Sequence, residues 1–281
     1  MHEATAEAIF EQKHLAVHSM QNQVVIITGA SSGIGQACAL EYAKQGDSIV
    51  IAARNYDKLK KLETALVALG AKVLSVAFDI TLDEDRKRLI DQTVTKFGRI
   101  DVLINNAGIS QRSLAKNTLL DVDRQLMEVN YFGTIALTKY ALQPMIKAQS
   151  GHIAVISSIV GKFGFPLRTG YSATKHALHG YFESLRAELH EDNIKVSIIC
   201  PGRIKTNISI NALTEDGSTH SKMDEGTEAG LSAESCARQI VRAISSGKKE
   251  TYIGGKEILM IYIRRFLPGL FYKMILNIKA T

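Results

Sequence analysis

Val24-Val25-Ile26-Ile27-Thr28-Gly29-Ala30-Ser31-Ser32-Gly33-Ile34-Gly35 is the stretch on which the reading of this chain turns. Residues 24–27 form a short, wholly apolar run of β-branched side chains, as a strand buried on both faces requires. A turn rich in Gly and Ser follows at once, and the chain then takes up a helical pattern. Glycines at Gly29, Gly33 and Gly35 allow a sharp turn and a close backbone approach to a pyrophosphate seated on the helix N-terminus. The spacing is GxxxGxG rather than GxGxxG, and its place directly after the first strand gives it meaning.

Working outward, strands and helices alternate. Helical patterns over 33–45, 55–69, 81–97, 121–147, 171–191 and 233–246 separate strand patterns at 48–53, 72–77, 101–104, 152–157, 195–200 and 250–253. Asn55 is placed to cap its helix, and Gly46, Gly70 and Gly98 to end theirs. Repeated βα units imply a parallel sheet of about seven strands with helices on both faces, a Rossmann-type doubly wound α/β fold. No linker or solenoid repeat divides residues 21–255, which are expected to form one domain. Residues 1–20 are polar, carry His2, His14 and His18, and are expected to be a disordered arm. Residues 256–281 form an apolar, basic extension.

The 281 residues are 46% hydrophobic, enough for a large core, and carry a net charge of +6. Acids and bases are interspersed, as in KLKKLE and DEDRKRL, which argues against nucleic-acid binding. Cys38, Cys200 and Cys236 are dispersed and odd in number, so neither a disulfide framework nor a metal site is expected. With no charged segment leading into an apolar one at the N-terminus, a cytoplasmic location is expected.

Tyr171 and Lys175 stand one helical turn apart on the same face. An ammonium beside a phenol favours the phenolate and lowers the tyrosine pKa towards neutrality, which suits an acid/base. Strand two ends Ala52-Ala53-Arg54-Asn55, with no acid to accept a ribose 2′-hydroxyl. The Arg54 fork, with the hydroxyls of Ser31 and Ser32, suits a 2′-phosphate instead, so NADP(H) is expected over NAD(H).

TGASSGIG resembles the cofactor fingerprint of the short-chain dehydrogenase/reductase family. Asn105-Asn106-Ala107-Gly108 resembles its NNAG motif and Pro201-Gly202 its PG motif. Asn130, Ser158, Tyr171 and Lys175 resemble its catalytic tetrad, with Ser158 favoured over Ser157 by its spacing from Tyr171. The likeness runs in order through residues 22–255. It implies hydride transfer between NADP(H) and a carbonyl or alcohol, with Tyr171 as acid/base and Ser158 holding the substrate oxygen. Lys175 would also bind the nicotinamide ribose, and Asn130 would hold a water. The implied cofactor contacts include Gly29, Ser31, Ser32, Gly33, Ile34, Gly35, Arg54, Asp79, Ile80, Asn106, Ala107 and Gly108. Tyr171, Lys175, Pro201, Gly202, Ile204 and Thr206 complete them. Asn105 would pass beside the adenosine ribose, and for Asp79 a helix N-cap role competes with an adenine contact. A homodimer or homotetramer is implied, built on the helices of Asn130 and Tyr171, with the small residues Ala173, Ala177 and Gly180 allowing close approach.

The segment 207–230 falls where the family places a mobile substrate lid. Phe163, Phe165 and Leu167 suggest an apolar wall and a hydrophobic ketone. The stretch SSIVGKFGFPLRTGYSATKHAL is most similar to a branch with membrane-associated reductases of lipid-like carbonyls. The alternatives are a 3-ketoacyl carrier-protein reductase and a non-catalytic NADP(H)-binding regulator. The extension carries Lys256, Arg264, Arg265, Lys273 and Lys279 against Glu257 alone, and Pro268-Gly269 breaks its apolar run. It reads either as two amphipathic segments at a lipid surface or as a cover over the pocket or a partner subunit.

Overall fold

The computed structural model describes residues 22–278; the expectation for residues 1–20 lies outside them. Seven parallel strands form the sheet: β1 (Val24–Thr28), β2 (Ser48–Ala53), β3 (Val73–Ala77), β4 (Val102–Asn105), β5 (Gly151–Ile156), β6 (Ile194–Pro201) and, after the short strands β7 (Ile204–Lys205) and β8 (Leu231–Ser232), β9 (Glu250–Ile253). Their order is β3-β2-β1-β4-β5-β6-β9. Ile26 at the centre of β1 pairs with Val50 on one side and Leu103 on the other. All five β1 residues are buried, as the apolar run requires.

The helices are α1 (Gly33–Ala43), α2 (Tyr56–Ala68), α3 (Asp83–Phe97), α4 (Leu120–Met127), α5 (Gly133–Ala148), α6 (Thr169–Glu188), α7 (Glu225–Glu228), α8 (Ala233–Ser245), α9 (Leu259–Phe266) and α10 (Pro268–Leu276). They cover both faces of the sheet. One face packs Cys38, Leu59, Leu66 and Ile240 onto Ile27 and Ile49; the other packs Leu89, Leu137 and Phe182 onto Ile26 and Leu103. Asn55 caps α2, its side chain accepting from the Lys58 N–H.

The structure departs from the sequence pattern in one long helix. The helix expected over 121–147 is interrupted by a π turn at Glu128–Phe132. Just after it, Gly133 lies so close to the Ile80 carbonyl that a Cβ would sit 2.6 Å from the oxygen. Apolar periodicity does not register the extra residue that such a turn inserts. The segment expected as a lid touches the body of the domain at three points: Leu213 bridges to Gln111, Leu119 N–H donates to Glu215 O, and Asp224 pairs with Arg112.

Sheet order reverses between β1 and β4, and a crevice opens there at the carboxyl ends of the strands. Open α/β sheets bind their ligands at this place.

Candidate active site

The glycine turn after β1 forms the floor of the crevice. Gly29 and Gly33 have φ of +64° and +58°, the left-handed region that favours glycine. Gly35 lies in α1, where a Cβ would stand 2.5 Å from Asn106 Nδ2 and 2.6 Å from the Gly29 carbonyl. Asn106 in turn donates from Nδ2 to Thr28 O at 2.9 Å, locking the loop after β4 against the loop after β1. Gly35 therefore sets how closely helix and loop pack, and it does not itself line the crevice.

Gly29, Ser31, Ser32, Gly33, Ile34, Arg54, Asp79, Ile80, Asn106, Ala107, Gly108 and Thr206 all line one groove of about 820 Å³. That volume is within the ~300–1,000 Å³ usual for cofactor sites. Asn105 points elsewhere: it is buried and donates to Thr138 Oγ1 at 3.0 Å. Asp79 lines the groove and also accepts from Thr81 N and Oγ1, at 2.9 and 2.7 Å. It closes a turn before α3 rather than capping that helix, whose N-cap is Leu82. These residues fit a dinucleotide: a cradle that a Cβ would fill, the hydroxyls of Ser31 and Ser32 and the exposed Arg54 guanidinium along one groove, and no carboxylate at the end of β2.

A second pocket continues from the first, lined by Ile34, Asn106, Gly108, Ser158, Tyr171, Lys175, Pro201, Gly202, Ile204 and Thr206. The long helix α6 carries Tyr171 and Lys175 on its buried face, and the Lys175 ammonium lies 5.6 Å from the centre of the Tyr171 ring. Lys175 donates to Ile156 O at 2.8 Å. Ser158, at the end of β5, donates to Pro201 O at 3.3 Å. The neighbouring Ser157 is directed to Lys175 O and His179 Nε2, so its hydroxyl is already engaged. Asn130 is fully packed within the π turn. Its Oδ1 accepts from Ile109 N at 2.8 Å, and its Nδ2 donates to Ile109 O and Thr174 Oγ1.

The electrostatics differ from the simple expectation. Burial pushes the Tyr171 phenol up, outweighing Arg168, Arg112 and the Ser158 hydroxyl, which pull it down. Burial also lowers Lys175 to about 8. Desolvation penalises phenolate and ammonium alike, and it is the largest cause of both shifts.

Several pocket residues carry no sequence motif. Arg112, Arg168, Asp224, Glu257, Met260 and Ile278 all line the second pocket. Glu257 Oε1 accepts from the backbone N–H of Arg203 and Gly255, at 2.8 and 3.1 Å, fastening the C-terminal extension to the loop after β6. Phe163 and Phe165 do form an apolar wall, but Leu167 does not line the pocket. Ile261 and Phe271, from α9 and α10, pack with Tyr171, Val160 and Phe163. The extension thus covers one side of the pocket.

A family model described as short chain dehydrogenase matches residues 23–217. The chain is 42% identical over 260 residues to the mouse protein Dehydrogenase/reductase SDR family member 7B, covering 91% of this chain and 80% of the mouse one. The chain belongs to the short-chain dehydrogenase/reductase family. A fruit-fly relative, Dehydrogenase/reductase SDR family protein 7-like, is 39% identical over 91% of this chain and 80% of its own. Among solved structures, a short-chain dehydrogenase/reductase from Burkholderia phymatum in complex with NAD superposes with a TM-score of 0.82 at 25% identity, covering 89% of this chain and 95% of that one. An alcohol dehydrogenase from Thermococcus sibiricus complexed with 5-hydroxy-NADP shares the fold, with a TM-score of 0.72 at 24% identity over 84% of this chain and 97% of its own. As a short-chain dehydrogenase/reductase, this chain is an NAD(P)-dependent oxidoreductase.

Proposed function

We propose that this short-chain dehydrogenase/reductase reduces a hydrophobic, lipid-like carbonyl compound with NADPH, using Tyr171 as the proton donor. The observation that carries the reading is the convergence of Ser158, Tyr171 and Lys175 on a pocket that opens from the dinucleotide groove and is walled by Phe163, Phe165 and Met260. A bound nicotinamide dinucleotide supplies the hydride to the carbonyl carbon. The chain's own residues do the rest. Ser158 donates a hydrogen bond to the substrate oxygen as negative charge develops on it. Tyr171 transfers its phenolic proton to that oxygen, and Lys175 stabilises the phenolate left behind. Asn130 holds the Ile109 backbone and Thr174, and so fixes the loop after β4 against α6. The burial that raises the Tyr171 pKa suits a group that must hold its proton until the oxygen takes it.

NADP(H) is favoured because Arg54 is exposed at a groove that Ser31, Ser32, Asn55 and Asp79 also line, and because β2 ends with no acid. The same fold and pocket would serve a 3-ketoacyl carrier-protein reductase; the apolar C-terminal cover over the pocket favours the lipid-like reading. The complete tetrad speaks against a non-catalytic NADP(H)-binding regulator. The exposed outer faces of α4, α5 and α6 support self-association as a homodimer or homotetramer. The basic, apolar C-terminal helices support peripheral contact with a membrane from the cytoplasmic side.

Tyr171→Phe tests the core of this reading. The variant should bind NADPH as the wild type does and lose turnover of hydrophobic ketones by ~10²–10⁴-fold, the usual worth of a positioned acid/base. Undiminished turnover would remove Tyr171 from the chemistry, whereas loss of cofactor binding would make its role structural.

A further inference from the structure

A buried guanidinium normally has its own carboxylate and spends its donors fully, because an uncompensated charge away from water is costly. Arg112 obeys this rule. Its Nε donates to both carboxylate oxygens of Asp224 and its Nη2 to Oδ2; its Nη1 donates to Ser110 Oγ and Gln111 O. Arg168, part-buried with its side chain 18% exposed, is less fully spent. Its Nη2 reaches the same Asp224 Oδ2, at 2.9 Å, and its Nε is buried with no partner. Two guanidiniums therefore share one carboxylate. Burial, with Arg112 second, holds the Arg168 pKa down to about 10, the direction expected of a cation short of counter-charge.

The location turns this imbalance into a prediction about the ligand. Arg168 precedes Tyr171 by one helical turn and lines the same pocket as Tyr171 and Ser158. Its guanidinium carbon lies 5.0 Å from the centre of the Phe165 ring, beside the apolar wall. Glu257, the pocket's other carboxylate, is engaged by the backbone of Arg203 and Gly255. A structural ion pair between Asp224 and the loop after β4 needs only Arg112, so the second arginine is left over for something else. We infer that Arg168, backed by Arg112, forms a subsite for an oxyanion, a carboxylate or a phosphate, carried by an otherwise apolar substrate. The inference rests on the reading of this pocket as the substrate site. It deepens that reading from a hydrophobic carbonyl to an anionic amphiphile.

The test reads binding rather than turnover. Octanoate, octyl phosphate and octanol are titrated into the full chain by calorimetry. Wild type should bind one or both anions about ten- to a hundred-fold more tightly than octanol, the usual margin of a charge-assisted hydrogen bond. Which anion wins identifies the head group. Arg168→Gln should lose most of that margin while binding octanol as wild type does. Arg168→Lys, with the charge but not the fork, should keep part of it. Equal binding of all three ligands by wild type would overturn the proposal, as would an equal loss for all three in Arg168→Gln, which marks a structural role. If Arg168→Gln does not fold, the lysine variant decides: a margin it leaves untouched overturns the subsite. If none of the three ligands binds wild type, the subsite falls. Turnover of neutral hydrophobic ketones, measured separately, then shows whether the reductase reading stands.

Discussion

At the level of single residues, a motif is legible when its members are close in the chain or fixed by a known spacing. The glycine turn of Gly29, Gly33 and Gly35, Asn106–Gly108, Ser158, Tyr171 and Lys175 are of that kind, and the fold brings all but Gly35 to the lining of one crevice. Arg112 and Asp224 are 112 positions apart, and nothing in the local pattern of either announces the other. Asn105 shows the converse limit: the motif contains it, but strand alternation turns it beneath the sheet. Arg54 offers the sharpest residue-level test. Its guanidinium is exposed at the groove, so its contribution should appear as a difference between cofactors rather than in stability. NADPH is expected to bind wild type at least about ten-fold more tightly than NADH, the lower end of a charge-assisted contact. Arg54→Ala should erase that preference and leave NADH affinity unchanged. Titration of both cofactors into both proteins decides the matter, and equal affinities in wild type would sink the assignment.

Among the elements, strands were easier to read than helix interruptions. A strand buried on both faces must be apolar throughout, so β1, β2 and β4 are visible as runs. The π turn at Glu128–Phe132 has no such signature, because one inserted residue leaves the apolar spacing on either side looking helical. The helices on either side of it matter for self-association. Phe132, at the end of the π turn, is half exposed, and Ala173 and Gly180 stand on the open side of α6. A Cβ at Gly180 meets nothing within 4 Å in the single chain. Gly180→Arg should therefore fold, with a gain of ~1 kcal/mol in helix propensity. It should still convert an oligomer into a monomer if this face is the interface. Light scattering at matched concentration is the measurement: a wild type that is already monomeric, or a variant that stays assembled, would refute the role of this face.

For the molecule as a whole, the C-terminal extension joins two readings that the sequence left as alternatives. One side of α9 and α10 is part of the enzyme, with Ile261 and Phe271 buried beside Tyr171. The other side exposes Leu259, Tyr262, Phe266, Leu267, Leu270, Tyr272 and Leu276, with Leu276 at 84% and Phe266 at 72%. Arg265 and Lys273 stand exposed among them, and residues 258–278 contain no acid. No helix among the described residues is long and apolar enough to cross a membrane, so a lipid contact through this face would lie in the plane of the surface. Each basic residue near an anionic leaflet contributes about 1 kcal/mol, screened by salt, while the apolar side chains add a part that salt does not remove. Deleting the extension would strip the pocket of its cover and is a poor test. The triple variant Arg265→Glu/Phe266→Ser/Leu270→Ser changes only exposed side chains. Wild type is expected to sediment with phosphatidylserine-containing vesicles, less so with neutral ones, and less at high salt. The variant should stay in the supernatant while keeping the wild-type melting temperature and NADPH affinity. Wild type that does not sediment, or a variant that sediments equally, would show that this face meets something other than lipid.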